Sequence, residues 1–242
     1  MAGAAADPEA VRSMFDRIAP VYDLMNTVMT AGIDARWRAA TLRSAALRPG
    51  MRVLDVATGT GKLALAAARG VGPTGEVIGL DASERMLARA RRATADAARP
   101  DAAAAPIRWL RADAMAMPIH DASVDVVTIG FGLRNMPDFD GALAEVARVL
   151  RPRGRLALLE IAEPRTGLAR ALFRTWFRRV VPLLGRLARQ GEAYAYLPAS
   201  LDRYPPPDDV AHRMQRAGFD VVRWRWLPTG LATLHLGRRA EG

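Results

Sequence analysis

Val53-Leu54-Asp55-Val56-Ala57-Thr58-Gly59-Thr60-Gly61, running on into Lys62–Arg69, is the stretch whose reading decides the fold. An apolar run breaks into alternating glycines and reopens with helical patterning, the signature of strand, tight turn, helix. Glycines let the backbone approach a ligand closely, and the free amides opening the next helix favour a negative group. The next apolar run, Val77–Leu80, closes on Asp81, about twenty residues beyond the loop. An acid at that spacing is placed to accept from a ribose hydroxyl pair.

Three ligand classes compete for this loop. A P-loop needs Ser or Thr after Gly-Lys and a glycine where Val56 stands; Leu63 follows Lys62, so that reading fails. A nicotinamide dinucleotide remains open, because Gly59, Gly61 and Ala64 fit G-x-G-x-x-[G/A] and Asp81 fits the spacing. The third is S-adenosylmethionine, its carboxylate over the Gly59–Gly61 turn and its ribose at Asp81.

Working outward, further strands are expected at Ile107–Leu110, Val124–Ile129 and Leu156–Ile161. A closing pair, Val221–Trp226 and Ala232–Leu236, is joined through Pro228-Thr229-Gly230. Helices fit Lys62–Arg69, Glu84–Ala97, Phe139–Leu150 and Pro207–Ala217. Strands alternating with helices predict an α/β fold with a doubly wound, mostly parallel sheet. Arg111-Ala112-Asp113-Ala114 and Gly130-Phe131-Gly132-Leu133-Arg134-Asn135 then fall at strand carboxyl ends, where such sheets bind ligands. Asp113 is suited to accept from an adenine amino group, or to cap the turn before Met115.

Phe15-Asp16-Arg17-Ile18-Ala19-Pro20-Val21-Tyr22-Asp23-Leu24-Met25-Asn26, the Asp55–Gly61 loop, Asp113-Ala114 and above all Phe131–Asn135 carry a family resemblance. The chain resembles the class I methyltransferases, and within them the ubiquinone/menaquinone biosynthesis C-methyltransferases, over nearly its whole length. The resemblance implies one seven-stranded Rossmann-like methyltransferase domain over residues 1–242. A helical cap would occupy 1–47, and the core 48–242 would carry inserted helices at 164–206. It implies S-adenosyl-L-methionine as cofactor, contacted at Gly59, Thr60, Gly61, Asp81, Asp113, Ala114 and Gly130. Three positions depart from the family's habit: Lys62 replaces a common Asp, Gly130 a common Ser, and Arg153 interrupts a frequent Pro-Gly-Gly turn.

The implied acceptor is a polyprenylated quinol, benzoquinol or naphthoquinol. Its ring carbon becomes nucleophilic when a neighbouring hydroxyl ionises, which at a phenol-like pKa of about 10 costs roughly 4 kcal/mol at pH 7. Arg134 is the expected stabiliser of that phenolate, with water taking the proton, unless it serves as a structural ion pair. Asn135 and Tyr22 are expected beside it, with Asp23, Tyr194, Tyr196 and His235 as further pocket candidates.

The 242 residues carry a formal charge of +10 and no cysteine, which excludes disulfides and thiolate metal sites. Lys62 is the sole lysine, and arginines are spread over the helices, so compositional bias is preferred to nucleic-acid binding. Thr166–Gln190 is amphipathic: Arg170, Arg174 and Arg178 share one helical line, Leu172, Trp176 and Val180 another with Phe173, Phe177 and Val181 beside it, and Pro182 should kink or end the helix. Such a helix covers a core or pocket, or lies at an anionic membrane. With no targeting segment or spanning stretch evident, a cytoplasmic location with peripheral membrane contact is expected. A homo-oligomer or a quinone-synthesis complex is left open.

Overall fold

The computed structural model describes residues 7–30, 32–95, 103–164, 167–180, 196 and 199–241. Three N-terminal helices, α1 (Pro8–Ile18), α2 (Tyr22–Met29) and α3 (Asp34–Ala45), precede the sheet. Then follow β1 (Arg52–Val56), α4 (Lys62–Val71), β2 (Glu76–Asp81), α5 (Glu84–Ala95), β3 (Ile107–Arg111) and β4 (Val124–Gly130). The chain continues through α6 (Phe139–Val149), β5 (Leu150–Ile161), α7 (Gly167–Thr175), α8 (Pro207–Arg216), β6 (Phe219–Trp226) and β7 (Ala232–Arg239).

The seven strands lie in the order β3-β2-β1-β4-β5-β7-β6. The first five in that order pair in parallel, and β7 runs antiparallel to both β5 and β6. Order therefore reverses between β1 and β4, the crevice where open α/β sheets bind ligands. Val56 is level with Leu80 and with Ile129, and Asp81 with Arg111, so the loops after β1 to β4 line one edge.

Period-two alternation sorts the core into two faces. Leu54, Val56, Ile78, Leu80, Val127 and Ile129 pack with Leu143 and Val146 of α6. Val53, Val77 and Val126 point the other way, onto Ala64, Ala67, Ala68 and Val71 of α4. Small residues on α4 let that helix sit close to the sheet. Trp109 of β3 completes the seat: a Cβ at Gly79 would lie 2.3 Å from its ring, and one at Gly61 2.5 Å.

The N-terminal helices form the expected cap. On α1, Asp7 accepts from the Glu9 amide at 3.0 Å, and Val11, Met14 and Ile18 share the buried face. Met14, Ile18, Met25 and Trp37 pack with Phe131, Leu159, Phe173 and Leu234, so the cap is tied to β4, β5 and β7.

Element ends move by a few residues from the expected ones. The largest difference is β5, which begins at Leu150 rather than Leu156, with a register shift opposite Val124–Val126. Arg153 takes φ +63° there, a left-handed conformation that glycine adopts without strain. On α7, Phe173 is buried while Leu168 is 74% exposed, so the apolar arc splits between core and solvent. Residues 176–180 continue as a π-helical stretch. Val181, Pro182, Gln190 and Tyr194 lie outside the described residues, as do the side chains of Leu172, Phe177 and Arg178. Among the described residues no helix is long and apolar enough to cross a membrane, and no cluster of acids and histidines could hold a metal ion.

Candidate active site

The loop after β1 is held by a carboxylate from below and a carboxylate from the side. Asp55, 1% exposed, accepts from Thr58 Oγ1 at 2.5 Å and from Thr128 Oγ1 of β4 at 2.6 Å. Burial pushes its pKa up to about 6, with the two hydroxyls opposing the rise. Above it, Ala57 takes φ +53° and Gly59 φ +57°, turning the chain sharply enough to free backbone for a ligand.

Asp81 joins this loop to the next. Its Oδ2 accepts from the Gly59 amide at 2.8 Å and its Oδ1 from the Ser83 amide at 2.9 Å. Burial raises its pKa despite those bonds. A carboxylate offers about four acceptor positions, more than these amides occupy, which leaves capacity for a ribose hydroxyl.

A cleft of about 810 Å³, counting space open to solvent, runs along the sheet edge. Gly59, Asp81, Asp113 and Ala114 line it from β1 to β3, and Phe131, Gly132, Asn135 and Met136 from β4. Val11, Phe15 and Tyr22 of the cap complete the walls. Asp113 caps the turn, its Oδ1 accepting from the Met115 amide at 2.9 Å, and its exposed carboxylate also lines the cleft. The polar and apolar walls fit the nucleoside and thioether of S-adenosylmethionine, and the diol acceptor at Asp81 fits its ribose.

Other expected site residues stand elsewhere. Thr60 and Gly130 line a smaller cavity behind the glycine loop. Thr60 Oγ1 donates to Asp23 Oδ1 of α2 at 2.8 Å, and Lys62 Nζ lies 3.2 Å from the same oxygen. Gly61 lines neither cavity. Its amide donates to Thr58 O at 3.0 Å, and its φ of +82° serves the turn into α4 beneath Trp109.

Arg134 requires the largest correction. It is 6% exposed and does not line the cleft. One Nη1 donates to Glu160 Oε1 and, at 3.0 Å, to Phe131 O; the Arg134 amide donates to Glu160 Oε2 at 3.3 Å. Glu160, fully buried on β5, is the partner that pairs with this guanidinium. Asn135 stays in the cleft: Nδ2 donates to Phe131 O at 3.3 Å and Oδ1 is left without a partner among the described residues. Tyr22 sits over Gly59 and touches both cavities. Tyr196 is half-buried, with Arg203 Nη2 donating to its hydroxyl at 3.3 Å.

His235 is not a pocket residue. It is buried on β7, stacked on Trp224 at 5.8 Å, with Nε2 2.9 Å from Pro207 O. Burial lowers its pKa to about 4, so the ring is neutral and Nε2–H donates to that carbonyl.

Sequence reasoning gave Asp16 and Arg38 no role and did not single out Glu160. Asp16 of α1 accepts from Ser83 Oγ at 2.5 Å, latching the cap to the loop after β2. Its only signal was position within the Phe15–Asn26 motif. Glu160 and Arg38 become partners of the site through contacts distant in sequence.

The architecture is that of a class I, Rossmann-like methyltransferase with an N-terminal helical region. Two solved structures share it: the [4+2]-cyclase SpnF, with a TM-score of 0.71 at 18% identity over 99% of this chain and 98% of that one, and a SAM-dependent methyltransferase from Aquifex aeolicus, at 0.60, 18%, 96% and 98%. At those identities the likeness is one of fold.

Residues 4–239 match the ubiE/COQ5 methyltransferase family, and the chain belongs to it. A demethylmenaquinone methyltransferase of Thermus thermophilus is 43% identical over 93% of this chain and 100% of its own length. A ubiquinone/menaquinone biosynthesis C-methyltransferase of Syntrophotalea carbinolica is 42% identical, covering 95% and 94%. The protein is an S-adenosylmethionine-dependent methyltransferase.

Proposed function

We propose that the protein methylates a ring carbon of a polyprenylated hydroquinone, with demethylmenaquinol as the preferred acceptor. The observation that carries this reading is the division of the cleft about β1. Asp81 and Asp113 stand on the β2–β3 side, and Phe131, Asn135 and Met136 on the β4 side, with the cap's Phe15 and Tyr22 completing the walls. The names of the relatives from Thermus thermophilus and Deinococcus radiodurans, both demethylmenaquinone methyltransferases, favour the naphthoquinol ring.

Bound S-adenosylmethionine supplies an electrophilic methyl group. The chain's part is to hold the acceptor in line and orient its hydroxyl, whose proton passes to water, as does the proton on the methylated ring carbon when the ring regains aromaticity. Asn135 Oδ1 is a buried acceptor in the cleft without a partner among the described residues, suited to take a hydrogen bond from a ring hydroxyl. Tyr22, over Gly59, offers a ring face and a hydroxyl between the two halves. Arg134 acts as a positioning residue: it and Asn135 both donate to Phe131 O, fixing the segment that carries both Phe131 and Asn135. Phe131 itself is held at φ +61°, the kind of local strain that surrounding contacts must sustain.

The site works on the cytoplasmic side of a membrane, from which a prenylated acceptor is drawn. Exposed Leu168 on α7 and Trp176 just beyond its end support peripheral contact. The basic contribution is smaller than the sequence suggests, because Arg170 and Arg174 share Glu163 at 2.5 and 2.7 Å. Radiolabelled methyl transfer to short-tailed demethylmenaquinol and to the methoxy-benzoquinol analogue tests the reading. Label in the naphthoquinol is expected; label in the benzoquinol alone reverses the ring assignment, and label in neither removes the quinol.

A further inference from the structure

No acidic residue falls between Asp34 and Asp55, nor between Asp220 and Glu241. The fold lays these two stretches side by side, as α3 and the β6–β7 hairpin. Arg225 Nη2 donates to Ser44 Oγ at 3.5 Å, and Trp37 Nε1 donates to Pro228 O at 3.3 Å. Arg36 and Arg43 of α3 and Arg223 and Arg225 of β6 are all exposed, and none of the four makes an ion pair among the described residues. On β6, Arg223 stands level with Leu236 and Arg225 with Leu234, two residues that pack on the α3 side of the sheet. Four cations thus share one face without a carboxylate among them.

Where α3 meets the hairpin turn lies a groove of about 770 Å³, counting space open to solvent. Ile33, Trp37, Ala40 and Pro228 give it an apolar floor, and Arg36 and Arg43, two helical turns apart, flank it. Strands β5 and β6 both run antiparallel to β7, so the turn stands at the same end of the sheet as the cleft. Helix α3 reaches the cleft as well, through Arg38, whose guanidinium lies over the ring of cleft-lining Phe131 at 5.5 Å. The groove therefore opens beside the cleft rather than at the far end of the strands.

Unpaired guanidinium groups around an apolar groove suit a layer of phosphate charge over hydrocarbon. We infer that this face docks the protein on an anionic membrane leaflet, with Arg36, Arg43, Arg223 and Arg225 meeting the phosphates of acidic phospholipids. Guanidinium forks bind phosphate oxygens in pairs, while their aliphatic stems lie against apolar surface. A nucleic acid fits the face less well. The aromatic ring of the groove, Trp37, is 2% exposed and offers no face on which a base could stack. The docking face supplies the charge that α7 lacks, where Arg170 and Arg174 are turned to Glu163. The choice of a bilayer rests on the reading that the acceptor carries a prenyl tail, since docking here sets the cleft close to the membrane that holds it.

Co-sedimentation of the full chain with vesicles tests the assignment. Wild type is expected to bind vesicles of mixed phosphatidylglycerol and phosphatidylcholine, to ignore pure phosphatidylcholine, and to be released by high salt. Arg36→Gln with Arg43→Gln should lower partitioning about 10- to 30-fold, at roughly fivefold for each arginine near the surface. Arg85→Gln with Arg92→Gln removes the same charge from exposed positions on α5, beside β3 at the opposite edge of the sheet. That control should change partitioning by less than about twofold, because screening confines each charge to its own surroundings. Methyl transfer to a short-tailed acceptor in solution should stay at the wild-type level in both double variants, since none of the four substituted residues lines the cleft. Undiminished vesicle binding by Arg36→Gln with Arg43→Gln, or an equal loss in the α5 control, would overturn the assignment. So would duplex DNA that displaced the vesicles from wild type and bound this double variant more weakly. Vesicle binding that follows the expected pattern, with no transfer to any quinol, would support the docking face and remove the acceptor reading instead.

Discussion

The two halves of the cleft are built on opposite economies of polar groups. On the β2–β3 side, Asp81 and Asp113 each spend part of their acceptor capacity on nearby amides and keep the rest for a ligand. On the β4 side, Arg134 and Glu160 are turned mainly toward each other and the backbone, and Asn135 Oδ1 supplies the free acceptor. The first half displays its chemistry. The second buries its strongest charges to shape a wall, so a charged residue in a motif need not be the one that meets substrate.

Removing Arg134 should separate these roles most sharply. Arg134→Ala leaves Glu160 buried and unpaired, a situation that costs about 3–5 kcal/mol. Denaturant unfolding should show that loss, and turnover should fall with it. Arg134→Met with Glu160→Gln removes both charges and should regain much of the stability while turnover stays low, because Phe131 O still lacks its Arg donor. Full stability in Arg134→Ala, with only turnover lost, would make Arg134 a residue that touches the acceptor.

The next effect lies outside the cleft and concerns two buried groups that titrate in opposite senses. His235 has a folded pKa of about 4 against an ordinary 6.5, so the unfolded chain protonates first and stability falls as pH drops through that window. Asp55 has a folded pKa of about 6 against 3.8, so the folded chain protonates first and stability rises as pH drops from about 6 toward 3.8. The two largely offset each other in wild type. In His235→Phe the His235 contribution is gone while that of Asp55 remains, so the stability gap between wild type and variant should shift by about 3 kcal/mol toward the variant from pH 7 to pH 4. A gap that stays constant with pH would mean that His235 titrates normally.

Much of the displaying half was legible because its determinants are local. The turn at Gly59, Asp81 after one strand and Asp113 after the next depend on spacing and on residue types that tolerate a narrow range of backbone. The burying half depends on pairs far apart in the chain: Arg134 with Glu160, Thr128 with Asp55, Trp37 Nε1 with Pro228 O. No periodicity encodes such partners. Gly61 shows the same limit at short range. Its place in the fingerprint suggested a ligand contact, whereas the bulk of Trp109, from another strand, is what requires a glycine there. Family resemblance located Arg134 correctly in the chain but carried no information about which way its side chain is held.

Gly61 therefore offers a test of intermediate size. In Gly61→Ala the new methyl would meet Trp109 and Ala90, at φ +82°, so stability should fall by about 1–3 kcal/mol. Donor affinity, once measured on folded protein, should change little, since Gly61 lines neither cavity. Pairing it with Trp109→Leu should return part of the stability. A variant that stays stable but loses the donor would restore Gly61 to the binding loop.

The smallest effect is expected where the cap meets the displaying half. Lys62 and Asp23 form a half-exposed pair, 39% and 31% in their side chains, and such pairs contribute about 0–1 kcal/mol. Lys62→Asp, which reverses the charge, would replace attraction by repulsion without removing the partners of the Thr60–Asp23 hydrogen bond or the Asp16–Ser83 contact. Global stability should drop by no more than about 1 kcal/mol. Local opening should change more, because α2 is tethered to the loop mainly through this one carboxylate. Amide exchange over residues 22–29 is expected to quicken while that over β1 and β2 stays protected, and raised salt should reduce the difference between variant and wild type. Equal exchange in both proteins would show that apolar packing of Met25 and Trp37, rather than charge, keeps the cap in place.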